Sequence, residues 1–135
     1  MQSTGGGDSR GLDDRVERLA YDVIGAAIEV HKALGPGLLE SVYEEALVVE
    51  LTERGISFVQ QAPVNVTYKG ESVGDGRVDL MIDETVVVEL KAVEELAPIH
   101  TAQVLSYLRA SGLRLGLIIN FNVPMLRDGI KRVIL

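Results

Sequence analysis

The chain is 135 residues long, the length of one domain, and needs no covalent staple to hold a core. Its 47% hydrophobic and 24% charged residues describe a globular protein, and the absence of cysteine excludes disulfides, thiol catalysis and thiolate metal sites. Two histidines exclude a three-histidine zinc site, and a net charge of −7 argues against a protein that coats nucleic acid through bulk positive charge.

Residues 1–11 are Gly- and Ser-rich and are expected to form a disordered tail, with a single domain over residues 12–135. From Leu12 a helical period begins, with Leu12, Val16, Leu19, Val23, Ala27 and Val30 recurring every three or four residues. Gly35-Pro36-Gly37 stops it. A second helix is expected over Leu38–Arg54, with Gly55 at its C-terminal end. The period then changes to two, so Val64–Tyr68 reads as a strand. A turn across Gly70–Gly76 leads to two further strands, Arg77–Ile82 and Val86–Val93. Pro98 suits the first turn of a third helix that runs to about Ala110 and ends near Gly112. Leu115–Phe121 reads as a buried strand, and Val123–Leu135 as a short helix followed by an edge strand. No segment is long and apolar enough to span a bilayer or to serve as a signal peptide, so a cytoplasmic protein is expected. The fold class is α/β, with a mixed sheet.

The two strands Arg77–Ile82 and Val86–Val93 carry the chemistry. Matching their apolar faces pairs Leu80 with Val88, Ile82 with Val86 and Val78 with Leu90, through a three-residue loop, Asp83-Glu84-Thr85. A two-residue loop would break that match. The register sets Asp79 opposite Glu89 and Arg77 opposite Lys91 on the other face. Opposed carboxylates repel by roughly 0.2–1 kcal/mol, and a divalent cation would remove the penalty. One or two carboxylates with several waters are what Mg²⁺ prefers. Lys91, two residues past Glu89, could orient a water nucleophile or stabilise charge on a phosphoryl oxygen. The plainer alternative is a solvated polar face with an incidental ion pair, and this spacing alone leaves the two level.

Three other features qualify that reading. Glu40 opens the second helix, where the dipole already favours an acid. Gln103 and Tyr107 are four apart on the third helix and share a face. His31 lies near the end of the first helix, where a histidine is favoured for the same dipole reason, and that reading ranks above ligation.

These residues resemble a known family. The string GLLESVY (Gly37–Tyr43) matches the signature of the GxxExxY family, which is assigned to the PD-(D/E)XK nuclease superfamily. GRVDLMID, VELKAV, HTAQVLSYL and LIINFNVPMLRDGIKRVIL are similar to that family's later motifs, in order, from about Arg15 to Leu135. The resemblance implies a restriction-endonuclease-like αβββαβ core in which helices flank a central mixed sheet. It implies Asp79 and Glu89 as metal-binding acids, Lys91 as the catalytic lysine and Glu40 as the helix acid that completes the metal site. Gln103 and Tyr107 look like a Q-x3-Y element that contacts the substrate strand. Val78 stands where the superfamily's name-giving Pro would precede Asp79.

The leading reading is a Mg²⁺- or Mn²⁺-dependent nuclease, a hydrolase of DNA or RNA, with Arg109 or Arg114 engaging phosphates. Residues 96–135 carry 5 basic side chains and 1 acidic one, so a polyanion would approach that third of the chain. The competing reading is a nuclease-like fold used for binding or assembly, as a homo-oligomer or a subunit of a larger complex. A mean hydropathy of +0.20 and the apolar end Val133-Ile134-Leu135 prompt it. Acidic mimicry of nucleic acid ranks last.

Overall fold

The computed structural model describes residues 11–135, in which three helices flank a five-stranded mixed sheet. The expected tail falls outside the described residues except for Gly11, whose carbonyl accepts a hydrogen bond from Arg114 Nη1 at 3.1 Å. Helix α1 (Asp14–Leu34) begins where the Asp13 side chain accepts from Val16 N–H at 2.9 Å. Its acids Asp14 and Glu17 lie in the first turn, and His31 and Lys32 in the last, as the helix dipole favours. Helix α2 (Glu40–Glu53) follows the Gly35-Pro36-Gly37 link, in which Gly37 takes φ +102°, a conformation open to glycine. Helix α3 (Pro98–Ser111) starts on its proline and ends at Gly112, in the left-handed region at φ +74°.

The strands are β1 (Phe58–Tyr68), β2 (Glu71–Ile82), β3 (Val86–Lys91), β4 (Leu115–Asn120) and β5 (Ile130–Ile134), the last entered through a one-turn 3₁₀ helix at Leu126–Gly129. They lie in chain order across the sheet. Neighbours are antiparallel except β3 and β4, which run parallel because α3 supplies the crossover between them. This is the expected α/β architecture.

The first hairpin is longer than its periodicity suggested. β1 begins at Phe58 rather than Val64, and β2 at Glu71 rather than Arg77, so Gly70–Gly76 is not a turn. Only Lys69 and Gly70 turn the chain, at φ +51° and +84°, between paired Tyr68 and Glu71. Gly76 suggested a turn, but here it lies within the strand, where a Cβ would stand 2.5 Å from Tyr107 Cε1.

Two cores fill the space between layers. Ala20, Val23, Ala27 and Val30 of α1 and Tyr43, Leu47 and Leu51 of α2 pack on Leu80, Ile82, Val86, Val88, Leu90, Leu115, Leu117 and Ile119. On the opposite face, Val104 and Leu108 of α3 cover Ala62, Val64, Val78, Val87, Ile118 and Val133. Burial of Val133 here, and packing of Ile134 against the first core, cover most of the apolar end within the chain; Leu135 stays 42% exposed. No helix among the described residues is long and apolar enough to cross a membrane.

Candidate active site

The site forms where β2 parts from β3. The three-residue loop and the pairs Leu80–Val88 and Ile82–Val86 are as the apolar faces required. The expected pairs Asp79–Glu89, Val78–Leu90 and Arg77–Lys91 are not part of the ladder, which ends at Leu80–Val88. Val78 packs on the α3 side with Ala62, whereas Leu90 packs on the α1–α2 side. Arg77 pairs instead with Pro63, and Lys91 with Asn120. A regular strand would keep Val78 and Leu80 on one face, so β2 changes face at Asp79. The apolar match fails there because the α3 layer, not the α1–α2 layer, covers the arm beyond it.

At that change of face, side chains replace the ladder. Asp79 N–H donates to Glu89 Oε2 at 2.7 Å, and Leu90 N–H donates to Asp79 Oδ2 at 2.8 Å. Each acid therefore satisfies a backbone donor that the separated strands would leave unpaired. Glu89 is only 5% exposed. Burial, and then the neighbouring Asp79 charge, push its carboxyl up to about 7, while the Asp79 N–H and the Lys91 ammonium pull it back. Asp79 is raised as well, by burial first and then by Glu44, against the Leu90 N–H, the Gln61 amide and Lys91. Glu40, in the first turn of α2, is raised by partial desolvation, then by Asp79, with Lys91 opposing and Glu44 adding. Glu40, Asp79, Glu89 and Lys91, drawn from three elements, thus share one electrostatic field.

The link from α1 to α2 fixes the start of α2. The Tyr43 hydroxyl donates to Gly35 O and accepts from Leu38 N–H, and its ring stacks on Phe121 at 4.5 Å between centroids. The exit of β3 is held by Asn120, whose side chain accepts from Val93 N–H at 3.0 Å and donates to Val93 O at 2.9 Å. Phe121 N–H also bonds Lys91 O at 2.9 Å.

The remaining candidates have other partners. Gln103 Nε2 donates to the Tyr107 hydroxyl at 3.1 Å, confirming their shared face, and the Tyr107 ring lies against Gly76. Arg109 is exposed and lines a shallow recess with Val66 and Thr67 of β1 and Ser106 of α3. His31 bonds Val123 O through Nε2 at 2.8 Å and tilts against Phe121, tying α1 to the segment after β4. Arg114 binds Leu135 O and Gly11 O. Two residues at the site had not been singled out. Glu44 lies one turn after Glu40, a spacing that puts both on one face of α2. Gln61 carried no sequence signal, because its role depends on a local departure from strand geometry.

Asp79, Glu89 and Glu40 are hard oxygen donors of the kind Mg²⁺ or Mn²⁺ takes. Among the described residues no three His, Cys, Asp or Glu side chains converge on a point that would enclose a metal ion. Two carboxylates completed by waters nevertheless match the way Mg²⁺ is commonly held, so the donor set fits the ion.

No curated protein and no solved structure matches the chain significantly. A family model of the PD-(D/E)XK nuclease superfamily matches residues 17–133, from the first turn of α1 into β5. That span contains the whole fork, the α2 acids and the crossover helix, and the chain belongs to the PD-(D/E)XK nuclease superfamily.

Proposed function

We propose that the protein is a divalent-metal-dependent nuclease of the GxxExxY branch, cleaving phosphodiester bonds of DNA or RNA at the β2–β3 fork. The observation that carries this reading is the reciprocal bonding of Asp79 and Glu89 to each other's strands. It holds two carboxylates side by side at a cost in repulsion that a cation would relieve. Asp79 and Glu89 would hold Mg²⁺ or Mn²⁺ directly, with Glu40 reaching the ion through water. When bound, the ion supplies a water of lowered pKa and neutralises charge developing on phosphorus.

Lys91 would donate hydrogen bonds to the attacking water or to a phosphoryl oxygen, and its ammonium already opposes the raised carboxyls around it. Asp79 and Glu89 keep their orientation because each is bonded to a backbone N–H, so little reorganisation is needed as substrate binds. Gln103 and Tyr107 contact the substrate strand, and Arg109 engages a phosphate beyond it. The GxxExxY spacing has a physical rationale in this chain. Gly37 makes the turn, Tyr43 clamps the link, and Glu40 is presented at the first residue of α2.

The test is a cleavage assay with Mg²⁺ and Mn²⁺ on labelled single- and double-stranded DNA and RNA, with Lys91→Ala purified alongside. Metal-dependent cutting by wild type that falls about 10²–10³-fold in Lys91→Ala is the expected result. Equal behaviour of the two proteins on every substrate favours the second reading, a non-catalytic binding or assembly module. That reading has support in Leu38, Leu39 and Val42, which are 41%, 74% and 42% exposed beside Glu40.

A further inference from the structure

β1 contains a residue that breaks the strand's own rule. Gln61 takes φ +53°, in the left-handed region that glycine, asparagine and aspartate tolerate and glutamine disfavours. It stands opposite Asp79, between the regular pairs Gln60–Leu80 and Ala62–Val78. Successive residues of a strand point to opposite faces. Here both Gln60 and Gln61 reach the same carboxylate, with Nε2 to Glu44 Oε2 distances of 2.7 and 2.9 Å. The Gln61 amide nitrogen then has a second hydrogen to give, and it lies 3.3 Å from Asp79 Oδ1. Glu44 is 8% exposed, so this buried carboxylate, held by two amides, fixes where the Gln61 side chain can point.

Strained backbone persists where the surroundings over-determine it, and here it obtains two contacts: the 2.9 Å bond to buried Glu44, which anchors the amide, and the longer one, which carries that anchor to Asp79. A glycine at this position would take the same left-handed conformation without strain. Resting on the nuclease reading above, we propose that Gln61, anchored by Glu44, is a positioning residue that orients the Asp79 carboxylate for a divalent cation. Asp79 Oδ2 is fixed by Leu90 N–H, and Gln61 restrains Oδ1, so the plane of the carboxylate is set from both sides. Outer partners that orient metal-ligating carboxylates commonly carry a tenfold or larger share of affinity.

Because the backbone and the side chain of Gln61 act in opposite directions, stability and metal binding should separate. Gln61→Gly relieves the backbone strain and removes the amide. Gln61→Asn keeps an amide and tolerates the conformation, but is one methylene short of both carboxylates. The measurement is Mn²⁺ binding to the metal-free protein by calorimetry, with thermal melting of the same samples. Relief of the strain offsets the lost bond to Glu44, so both variants are expected to melt within a few degrees of wild type while binding Mn²⁺ about tenfold or more weakly. Unchanged Mn²⁺ affinity confines Gln61 to a local role in β1 and overturns the proposal. A fall in melting temperature that parallels the loss of affinity makes its role structural and overturns it too. Wild-type protein that binds no Mn²⁺ instead sinks the metal reading itself, an outcome distinct from a variant that binds as well as wild type.

Discussion

Glu89 is almost wholly enclosed and sits beside a second acid, so its charge costs the fold what it offers the site. A carboxyl raised from 4.5 to about 7 binds its proton more tightly in the folded than in the unfolded chain. Between those two pH values the native state therefore holds the greater number of protons, and stability falls as pH rises. The contribution is fully present below the unfolded value and is gone above the folded one. A difference of this size corresponds to about 3 kcal/mol. We expect the melting temperature to decline from about pH 5 to pH 7.5 and then level. Glu89→Gln keeps an oxygen for Asp79 N–H but cannot ionise. It should flatten the decline, melt above wild type at about pH 8, and lose metal-dependent cleavage. Thermal melts across this range, paired with the cleavage assay, check it; a wild type that gains stability with rising pH in this window contradicts the origin assigned to the shift.

At the scale of elements, the start of α2 depends on a hydroxyl. Leu39 provides no side-chain cap, so the position of Glu40 rests on Tyr43 tying Gly35 O and Leu38 N–H together. Tyr43→Phe keeps the stacked ring and loses both bonds. Because the link is partly open to water, the cost should be about 1–2 kcal/mol, a fall of roughly 3–8 °C in melting temperature. Cleavage should fall several-fold beyond what stability explains, since Glu40 is freed while Asp79 and Glu89 are untouched. Calorimetry at a temperature well below the transition, together with initial rates, separates the two effects.

Across the whole molecule, the basic character of residues 96–135 is distributed rather than gathered. Arg132 pairs with Glu17 of α1 at 3.0 Å, Arg114 binds Leu135 O and Gly11 O, and Arg109 stands on α3 beside β1. In a chain of net charge −7, these three described cations, each in a different segment, do not by themselves supply a track for a phosphate backbone. Nucleic-acid binding should then depend on the cation at the fork. Lys91→Ala, which leaves substrate intact, should bind labelled DNA or RNA far more tightly with Mg²⁺ than with a chelator. The slope of log affinity against log salt should be shallower than about −3, the value for a few phosphate contacts. Fluorescence anisotropy over a salt series tests both; a steep slope without Mg²⁺ would reveal a basic surface that these contacts do not account for.

Local chemistry made much of this protein legible from its sequence. Gly35, Pro98 and Gly112 mark helix ends through backbone freedom and the fixed φ of proline, which act within a few residues. The alternation in 80–88 set the hairpin register, and with it the proximity of Asp79 and Glu89, because a one-residue slip would expose every apolar side chain there. The tertiary structure decided what happens beyond Leu80. Periodicity assumes that a strand keeps its faces, but two helical layers compete for the same strand, and β2 leaves one for the other at Asp79. That change, and the left-handed Gln61 opposite it, bring Gln61, Glu44 and Asp79 together from positions up to 35 residues apart in the chain. Such contacts arise only when the layers have packed, so no local pattern announces them.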